Sequence, residues 1–453
     1  MRISFVQLRL SPSVRLCVTM QIALLVLVIE GAGALLSCSS QTPAGQQSAQ
    51  KTSWATPLSY MAIESKYISA NSFHEGLAAV QTTENPQRWG FIDKEGRLVI
   101  PADFWTVGDF SEGLAPVLIG GPHGLWAYID GQGKIVIGPK YDSADTFENG
   151  LAVVGTLQQD DRTRGLAYGV IATNGAAVLS PRCSWVDLHD DGIVCEHWLF
   201  RPNEKSFIEY YSREGKKLFE LRDAQSMSPF SEGLSGVSTS LSEGRERVIN
   251  TSGKIVIAKT YDWLGRFDSG VAVAGYGTEG PKDEHGLPQR YFHLGLINRR
   301  GEYVTPPVWS SAIPATFEEG LLTVTIGEGN EARSGAVDHR GYFVIPPKYA
   351  YLNRFSEGLA AASLDGTHFG FIDRSGVFVI PPQFQDVDEF TNGNAVVLVG
   401  SADQKHACII DVKGRYVVPC LFDEIRRPSE GFAAVTLNKK VGFVRIPERS
   451  KTP

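Results

Sequence analysis

A stretch of about thirty residues recurs along the chain, and it constrains the fold more than any other feature of the sequence. Its clearest copy is 355–384, where turn residues separate three short runs rich in branched and aromatic side chains. The runs are 359–363, 369–373 and 377–380, and Pro381 and Pro382 follow the third. A unit of this size has too little apolar area to fold alone, so it must pack against its own copies.

Two series of glycines count the copies. In the first series each glycine follows a residue that can accept a hydrogen bond: Gly76, Gly113, Gly150, Gly192, Gly233, Gly270, Gly320, Gly358, Gly393 and Gly431. In the second series each glycine lies in a predicted hairpin turn: Gly96, Gly133, Gly175, Gly215, Gly253, Gly301, Gly341, Gly376 and Gly414. The spacing between successive glycines varies in the same way along both series. The period is therefore one supersecondary unit, repeated ten times over 54–447.

The pattern predicts an all-β fold of three- to four-stranded antiparallel units, because no useful length of the body has helical periodicity. Two architectures suit such units. A β-propeller closes its blades into a ring, and an open superhelical array stacks them without closing. Closed rings rarely exceed about eight blades, so ten units favour the open array over a propeller-like ring or arc.

The residues before the repeats have the pattern of an export signal. Within 1–37, arginines precede an apolar run at 22–29 and a small-residue exit, and eight apolar residues are too few to span a bilayer. The exit ends in Leu35-Leu36-Ser37-Cys38, which resembles the bacterial lipobox and implies lipidation of Cys38. The polar segment 38–53 reads as a flexible linker and 448–453 as a tail. We therefore expect an exported, lipid-anchored envelope protein, with ordinary secretion as the alternative.

In the repeat an aromatic residue and a glycine, here called the WG pair, precede Phe-Ile-Asp, and a turn glycine, Val-Ile-Pro-Pro and Phe-Ser-Glu-Gly-Leu-Ala follow. This combined motif resembles the WG-repeat family of bacterial proteins. Tryptophan is kept at Trp89 and Trp126, whereas Tyr168, Leu294 and Phe369 stand at the same place elsewhere. The resemblance implies a β-repeat fold, but no common reaction, ligand or cofactor.

Carboxylates recur beside the turn glycines, and their position explains them without catalysis. Glutamate precedes six glycines of the first series: Glu75, Glu112, Glu232, Glu319, Glu357 and Glu430. The remaining copies carry Asn149, Asp191, Ser269 and Asn392, so the position requires a hydrogen-bond acceptor and not a charge. A second set begins the hairpin turns: Asp93, Asp130, Asp338, Asp373 and Asp411. We interpret both sets as structural.

Four cysteines form two pairs with equal spacing, Cys183 with Cys195 and Cys408 with Cys420. Export favours their oxidation, so two disulfides are expected. If Asp411 pairs with Arg415 across its turn, Cys408 faces Val418, and Cys420 must reach it diagonally. A rival interpretation of the first pair is a zinc site with the two imidazoles of His189 and His197. The spacing matches no known zinc motif, so no metal is predicted.

The remaining features point to binding and not to an enzyme. The sequence has no nucleophile, phosphate-loop, zinc-protease or calcium-loop motif, so no catalytic residue and no cofactor is predicted. A net charge of −7 argues against nucleic acid as a partner. Trp105, Trp185, Trp263 and Trp309 suit either a stacked core or exposed sugar platforms, and the insertion 275–290 is either a binding loop or a tolerated insertion.

These observations predict a non-catalytic scaffold that binds an envelope protein. A carbohydrate or cell-wall binding module is the alternative, and an envelope enzyme is the least supported.

Overall fold

The structure is a computed structural model. It describes residues 57–158, 165–198, 206–239, 245–282, 288–312, 314–401 and 404–447, which belong to one compact unit spanning 55–453. The predicted signal peptide, the lipidation site Cys38, the linker and the tail lie outside the described residues. No helix among the residues described is long and apolar enough to cross a membrane.

The described residues form ten small antiparallel sheets, which we call blades 1 to 10. Blade 1 contains β2 (Ser69–His74), β3 (Leu77–Glu84), β4 (Gln87–Ile92) and β5 (Leu98–Phe104). Blade 2 contains β6 (Thr106–Val107), β7 (Ala115–Ile119), β8 (Leu125–Ile129) and β9 (Ile135–Tyr141). Blade 3 contains β10 (Ser143–Ala144), β11 (Leu151–Gln158), β12 (Gly165–Ala172) and β13 (Ala177–Cys183). Blade 4 contains β14 (Trp185–His189), β15 (Gly192–His197), β16 (Phe207–Tyr211) and β17 (Lys217–Arg222). Blade 5 contains β18 (Ala224–Met227), β19 (Leu234–Thr239), β20 (Glu246–Asn250) and β21 (Ile255–Tyr261).

The second half repeats this order with two shorter blades and one composite blade. Blade 6 contains β22 (Trp263–Leu264), β23 (Val271–Lys282) and β24 (Pro288–Asn298). Blade 7 contains β25 (Leu322–Ile326), β26 (Arg333–Val337) and β27 (Phe343–Tyr349). Blade 8 contains β28 (Tyr351–Leu352), β29 (Leu359–Ser363), β30 (Phe369–Asp373) and β31 (Phe378–Phe384). Blade 9 contains β32 (Asp386–Val387), β33 (Asn394–Ser401), β34 (Gln404–Asp411) and β35 (Tyr416–Phe422). Blade 10 contains β36 (Glu424–Ile425), β37 (Phe432–Leu437), β38 (Lys440–Arg445) and, from the start of the chain, β1 (Met61–Tyr67). Short 3₁₀ turns occupy Pro57–Tyr60 and Gly329–Glu331.

The blades close into a ring, so the fold is a ten-bladed β-propeller. Strand β1 pairs with β38 and completes blade 10, and the chain then passes directly into blade 1. Of the two architectures that the sequence suggests, the propeller is therefore the one formed, and the open array is wrong. The count of ten units favoured the open array. Closure depends on the pairing of the first and last strands, a long-range contact that the repeat pattern does not contain.

The core consists of ten hydrophobic clusters, one at each junction between successive blades. The repeat motif supplies them directly. The phenylalanine three residues before the first-series turn glycine packs on an aromatic ring of the preceding blade, as Phe390 does on Phe371 with ring centroids 4.6 Å apart. The pair Phe73 and Phe443, 5.0 Å apart, makes the same contact across the closure. Each blade thus buries its face only against its neighbours, as a repeat too small to fold alone requires.

Strand D, the strand that follows the hairpin-turn glycine of a blade, is longer in blade 8 than the sequence suggests. The prolines Pro381 and Pro382 do not end the third run, because β31 continues through them to Phe384. Phe371 pairs with Ile380 but Phe369 pairs with Phe384, so extra residues form a bulge opposite Gly370. Proline is tolerated there because strand D is the edge of its sheet and a bulged residue needs no ladder hydrogen bond.

The turn glycines adopt the backbone that their positions demand. The predicted residues Gly76, Gly113, Gly150, Gly233, Gly270, Gly320, Gly358, Gly96, Gly133 and Gly376 all have φ between +76° and +85°. The residues before the first-series glycines are also left-handed, for example Glu357 at +53°. Two consecutive positive φ values define the tight hairpin turn that strand twist favours. Gly192 of blade 4 is different, because it is not left-handed.

Candidate functional site

In every blade one residue occupies the structural position of the aromatic residue in the WG pair, directly before the position of its glycine. We call this the motif-aromatic position. Trp89, Trp126, Tyr168 and Phe369 place a large ring there in blades 1, 2, 3 and 8. In blade 7 the register puts Ser334 at this position, and in blade 9 it puts Ala407. Both side chains lack a ring, and an open cleft lies between the blade and its successor at each of the two places.

The first opening, the blade 7 cleft, has a volume of about 300 Å³ and a neutral polar lining. Four hydroxyl side chains of blade 7 line it: Ser311, Thr323, Thr325 and Ser334. The hydroxyls of Thr325 and Ser334 lie 2.9 Å apart, and Thr323 donates a hydrogen bond of 3.1 Å to the carbonyl of Asn353 in the next blade. Thr323 and Ser334 are both buried. The opposite wall is the segment 350–353, which contains the edge strand β28.

The second opening, the blade 9 cleft, lies at the equivalent place and has a volume of about 430 Å³. Its lining carries charges: Asp386, Asp388, Lys405, Asp423, Glu424 and Arg426. Some of these charges serve the backbone, since Asp423 accepts a hydrogen bond from the amide of Asn438 and Asp386 accepts one from Val387. Two clefts at equivalent places, each beside a small side chain at the motif-aromatic position, therefore differ in chemistry.

Blade 4 holds a third polar group, centred on Glu209. This glutamate stands where other blades have the glycine of the WG pair. It accepts hydrogen bonds from Lys217 at 2.6 Å and from the hydroxyl of Tyr211 at 2.8 Å, and the imidazole of His197 lies 3.0 Å away. Arg182 of blade 3 also pairs with it at 3.3 Å. The group is a compact charge network and not an open site.

The electrostatics of this network follow from its partners. Burial by itself raises the pKa of Glu209, but the hydrogen bonds from Lys217, Tyr211 and His197 outweigh burial and lower that pKa to about 2. Burial also lowers the pKa of His197, against the opposing effect of Glu209. The carboxylate is therefore fully ionised near neutral pH, and its proton affinity is far too low for a general base.

Both predicted cysteine pairs are bonded in the structure. Cys183 of blade 3 joins Cys195 of blade 4, and Cys408 joins Cys420 within blade 9. The register differs from the one assumed from the sequence, because Ile409, and not Cys408, faces Val418. Cys408 stands at the glycine of the WG pair and Cys420 lies in the bulge opposite it. The bulge thus removes the diagonal that a regular ladder would have required.

Three of the four residues considered for a zinc site lie close together in the structure, but two of them are bonded to each other. The sulfurs of Cys183 and Cys195 and a ring nitrogen of His197 lie within 4.8 Å of one another. The two sulfurs are bonded to each other, however, and a disulfide sulfur is not the thiolate that a metal needs. His189, the fourth residue considered, does not belong to this group.

The turn glutamates form a different contact from the one expected within a single turn. Each carboxylate accepts a hydrogen bond from the turn glycine of the following blade. The six pairs are Glu75–Gly113 (2.9 Å), Glu112–Gly150 (2.9 Å), Glu232–Gly270 (3.0 Å), Glu319–Gly358 (3.0 Å), Glu357–Gly393 (2.7 Å) and Glu430–Gly76 (2.9 Å). The aspartates of the hairpin turns accept amide hydrogens inside their own turns, as Asp373 does from Ser375 and Val377. Both sets are therefore occupied in holding the backbone.

The described part of the insertion in repeat six is regular structure. Residues 275–282 and 288–290 extend the arms of the β23–β24 hairpin, whose register runs unbroken from Val271 opposite Asn298 to Glu279 opposite Arg290. The tryptophans divide between two environments. Trp309 is buried, Trp105 is half-buried, and Trp185 and Trp263 are 43% and 39% exposed. Neither interpretation of the four tryptophans holds for all of them.

The outer rim of the propeller is apolar, a feature that the repeat pattern does not predict. The first residues of strand D are branched or aromatic and exposed by 39% to 50% in several blades: Leu98, Val99, Ile135, Val136, Ile255, Val256, Phe343 and Val344. Adjacent residues of one strand point to opposite faces, so exposure of both means that no blade covers this part of the strand. We call these residues the rim.

The closed ring of three- to four-stranded antiparallel blades defines the class of the protein, a ten-bladed β-propeller. A family model described as WG containing repeat matches residues 89–121, 126–155, 247–275, 295–328, 335–367, 369–401 and 409–440. The chain belongs to this WG-repeat family. The matches leave out 156–246, a stretch that contains all of blade 4 and parts of blades 3 and 5.

Several solved structures resemble the chain, all at low sequence identity and low TM-score. No curated protein matches the chain in sequence. The β-propeller domain of the Trilobed protease from Pyrococcus furiosus is 10% identical with a TM-score of 0.32, over 60% of this chain and 96% of that domain. The quinohemoprotein alcohol dehydrogenase ADHIIG from Pseudomonas putida HK5 is 11% identical with a TM-score of 0.29, over 67% of this chain and 69% of that one. The acylaminoacyl peptidase of Pyrococcus horikoshii is 14% identical with a TM-score of 0.29, over 65% of this chain and 56% of that one.

Proposed function

We propose that the chain is a non-catalytic scaffold of the cell envelope that holds a partner protein on its rim. The observation that carries this proposal is the exposure of paired apolar residues on edge strands, such as Leu98 with Val99 and Ile135 with Val136. An edge strand offers unpaired backbone donors and acceptors, and exposed branched side chains add apolar area for a partner strand. Soluble proteins seldom leave such surfaces uncovered.

We propose no catalytic role because the charged groups considered are engaged in structural hydrogen bonds and ion pairs. The turn glutamates hold glycine amides, and the hairpin aspartates hold their own turns. Glu209 is held by Lys217, Tyr211 and His197. Placement in the envelope rests on the export pattern of 1–37 and on Cys38.

The test is capture of a partner from an envelope extract by the full chain and by rim variants. Val99→Lys combined with Val136→Lys places two charges on the rim, whereas Leu157→Lys, at a site 63% exposed on β11, is the matched control. We expect one crosslinked protein to be retained by the wild type and the control and lost from the double variant. Equal retention by all three, or retention of polysaccharide without any protein, would contradict the proposal.

A carbohydrate-binding role is the second candidate, and one observation favours it, the hydroxyl lining of the blade 7 cleft.

A further inference from the structure

We propose that the blade 7 cleft is a binding site for one sugar unit of an uncharged saccharide. The cleft lies between blades 7 and 8 and shares no residue with the rim, and the proposal rests on the second candidate function, carbohydrate binding, and gives it a site.

The space exists because blade 7 carries a small polar side chain at the motif-aromatic position. Four blades place a ring there, Trp89, Trp126, Tyr168 and Phe369, whereas blade 7 has Ser334. The glycine of the pair, Gly335, is kept, and a Cβ atom there would lie 2.4 Å from the carbonyl oxygen of Ile345. The backbone of blade 7 therefore still has the form that accommodates a large ring, while the ring itself is missing.

The lining is not what a simple packing defect would have. A vacated apolar position is stabilised best by apolar neighbours that close around it, because a buried hydroxyl costs free energy unless it is hydrogen-bonded. Here Ser334 and Thr323 are buried hydroxyls, and Thr325 and Ser311 join them on the same face of the blade. At the position of Thr323 other blades have apolar residues, such as Val273 in blade 6 and Val396 in blade 9.

These hydroxyls keep hydrogen-bonding capacity for a ligand. A hydroxyl offers one donor and two acceptor lone pairs. The contact between Thr325 and Ser334 uses one donor and one lone pair, and the bond from Thr323 to the carbonyl of Asn353 uses one donor. Lone pairs of all three groups and one further donor thus remain. Strand β28, which forms the opposite wall, is the edge of its sheet.

The neutrality of the lining selects the class of ligand. None of the residues around this cleft is charged, whereas six of those around the blade 9 cleft are. An ionic ligand would have to leave water without a counter-charge, at high cost. A sugar ring presents alternating donors and acceptors and no charge, which matches the four hydroxyls. A volume of about 300 Å³ lies at the small end of ligand sites and suits one ring of a longer chain.

The experiment uses the full chain and an immobilised panel of neutral mono- and oligosaccharides, followed by calorimetric titration of any that bind. Ser334→Trp restores the motif ring and fills the cleft. The matched control is Ala407→Trp, which makes the same change in the blade 9 cleft. Thr325→Val removes one hydroxyl at constant shape. We expect Ser334→Trp to abolish binding, Thr325→Val to weaken it by about tenfold, or about 1.4 kcal/mol, and Ala407→Trp to leave it unchanged.

Several results would overturn the assignment. They are the failure of every neutral saccharide to bind the wild type, an equal loss in both tryptophan variants, and competition for the cleft by a peptide. Thermal unfolding of each variant shows whether Ser334→Trp still folds, and if it does not, Thr325→Val decides alone. Capture of a protein on the rim is measured in the same variants. Because Ser334→Trp leaves the rim intact, failure of the saccharide site and failure of the scaffold function are distinguishable.

Discussion

Blades 8 and 4 build the same contact between their last two strands in different ways. In blade 8 the bulged strand D approaches Gly370 so closely that a Cβ atom there would lie 2.4 Å from the carbonyl oxygen of Ile380. In blade 4 the register is regular at this point, so Glu209 pairs with Glu220 and no bulge forms. A side chain fits, but it is a charged one whose partners must come from blades 3 and 4.

The glycine of the WG pair allows two strand backbones to approach each other and needs no side-chain partner. Glu209, at the same position, needs hydrogen bonds or ion pairs from four residues: Lys217, Tyr211, His197 and Arg182. Blade 9 is intermediate, since Cys408 stands at the glycine position and is bonded to Cys420 in the bulge. Blades 2 and 5 keep the bulge with Ala127 and Arg247, so small adjustments of strand D also accommodate a side chain.

The largest effect is expected from Gly370→Val, which breaks the close approach in blade 8. A branched side chain cannot fit without moving backbone, so we expect a loss of about 3 kcal/mol in the free energy of unfolding, measured by urea titration. Gly131→Val is the control, because a Cβ atom at Gly131 meets nothing within 4 Å. A loss below about 0.5 kcal/mol for Gly370→Val would show that the bulge relaxes freely.

The disulfide of blade 9 gives the next largest effect. Replacing both Cys408 and Cys420 with serine removes a cross-link over twelve residues, and we expect a loss of about 2 to 3 kcal/mol. Replacing Cys408 with glycine and Cys420 with alanine, the residues that blade 1 has at Gly90 and Ala102, should lose less. If the two double variants unfold at the same urea concentration, the glycine contributes nothing at this position.

The charge network of blade 4 should make stability depend on pH. The pKa of Glu209 is about 2 in the folded protein and near 4.5 when the group is free, so ionised Glu209 stabilises the fold above pH 4.5. This contribution is lost as pH falls from 4.5 towards 2. Glu209→Gln should therefore cost about 1.5 kcal/mol at pH 7, and the difference from wild type should shrink over that interval. A constant difference between pH 7 and pH 3 would rule out this network as its source.

The smallest effect concerns the turn carboxylates. Glu75→Ala removes one exposed hydrogen bond to Gly113, and we expect a loss of about 0.5 kcal/mol. Glu75→Asn imitates Asn392 of blade 9 and should recover part of it only if the shorter side chain still reaches the next turn. Chemical denaturation at two salt concentrations measures both. A loss above about 2 kcal/mol would mean that this contact holds the ring closed.

Much of the fold and some of the site could be predicted from the sequence. The strands Leu359–Ser363 and Phe369–Asp373 occur where the pattern places them, because alternation and turn residues act within a few positions. The small residues Ser334 and Ala407 also stand in the sequence, at the place where Trp89 stands in the first repeat. Superposition of the repeats would have revealed them, but it would not have shown that a cleft lies beside each.

Other features depended on contacts that no local pattern contains. The extent of β31 beyond Pro382 and the position of Cys408 depend on the bulge, which shifts the register by two residues. The exposure of Val99 and Val136 depends on which strand ends each sheet.

Alternation, β-branched residues and glycine act over a few positions, and for that reason the amino-acid pattern alone specifies a tandem repeat of short antiparallel strands with left-handed turns. Closure of the repeats into a ring depends instead on tertiary contacts. Closure requires β1 to pair with β38, nearly four hundred residues away, and the repeats before and after such a pairing look alike. It also decided that Glu430 reaches Gly76 across the junction, and that the missing rings at Ser334 and Ala407 leave clefts with different linings, because each depends on what the neighbouring blade presents.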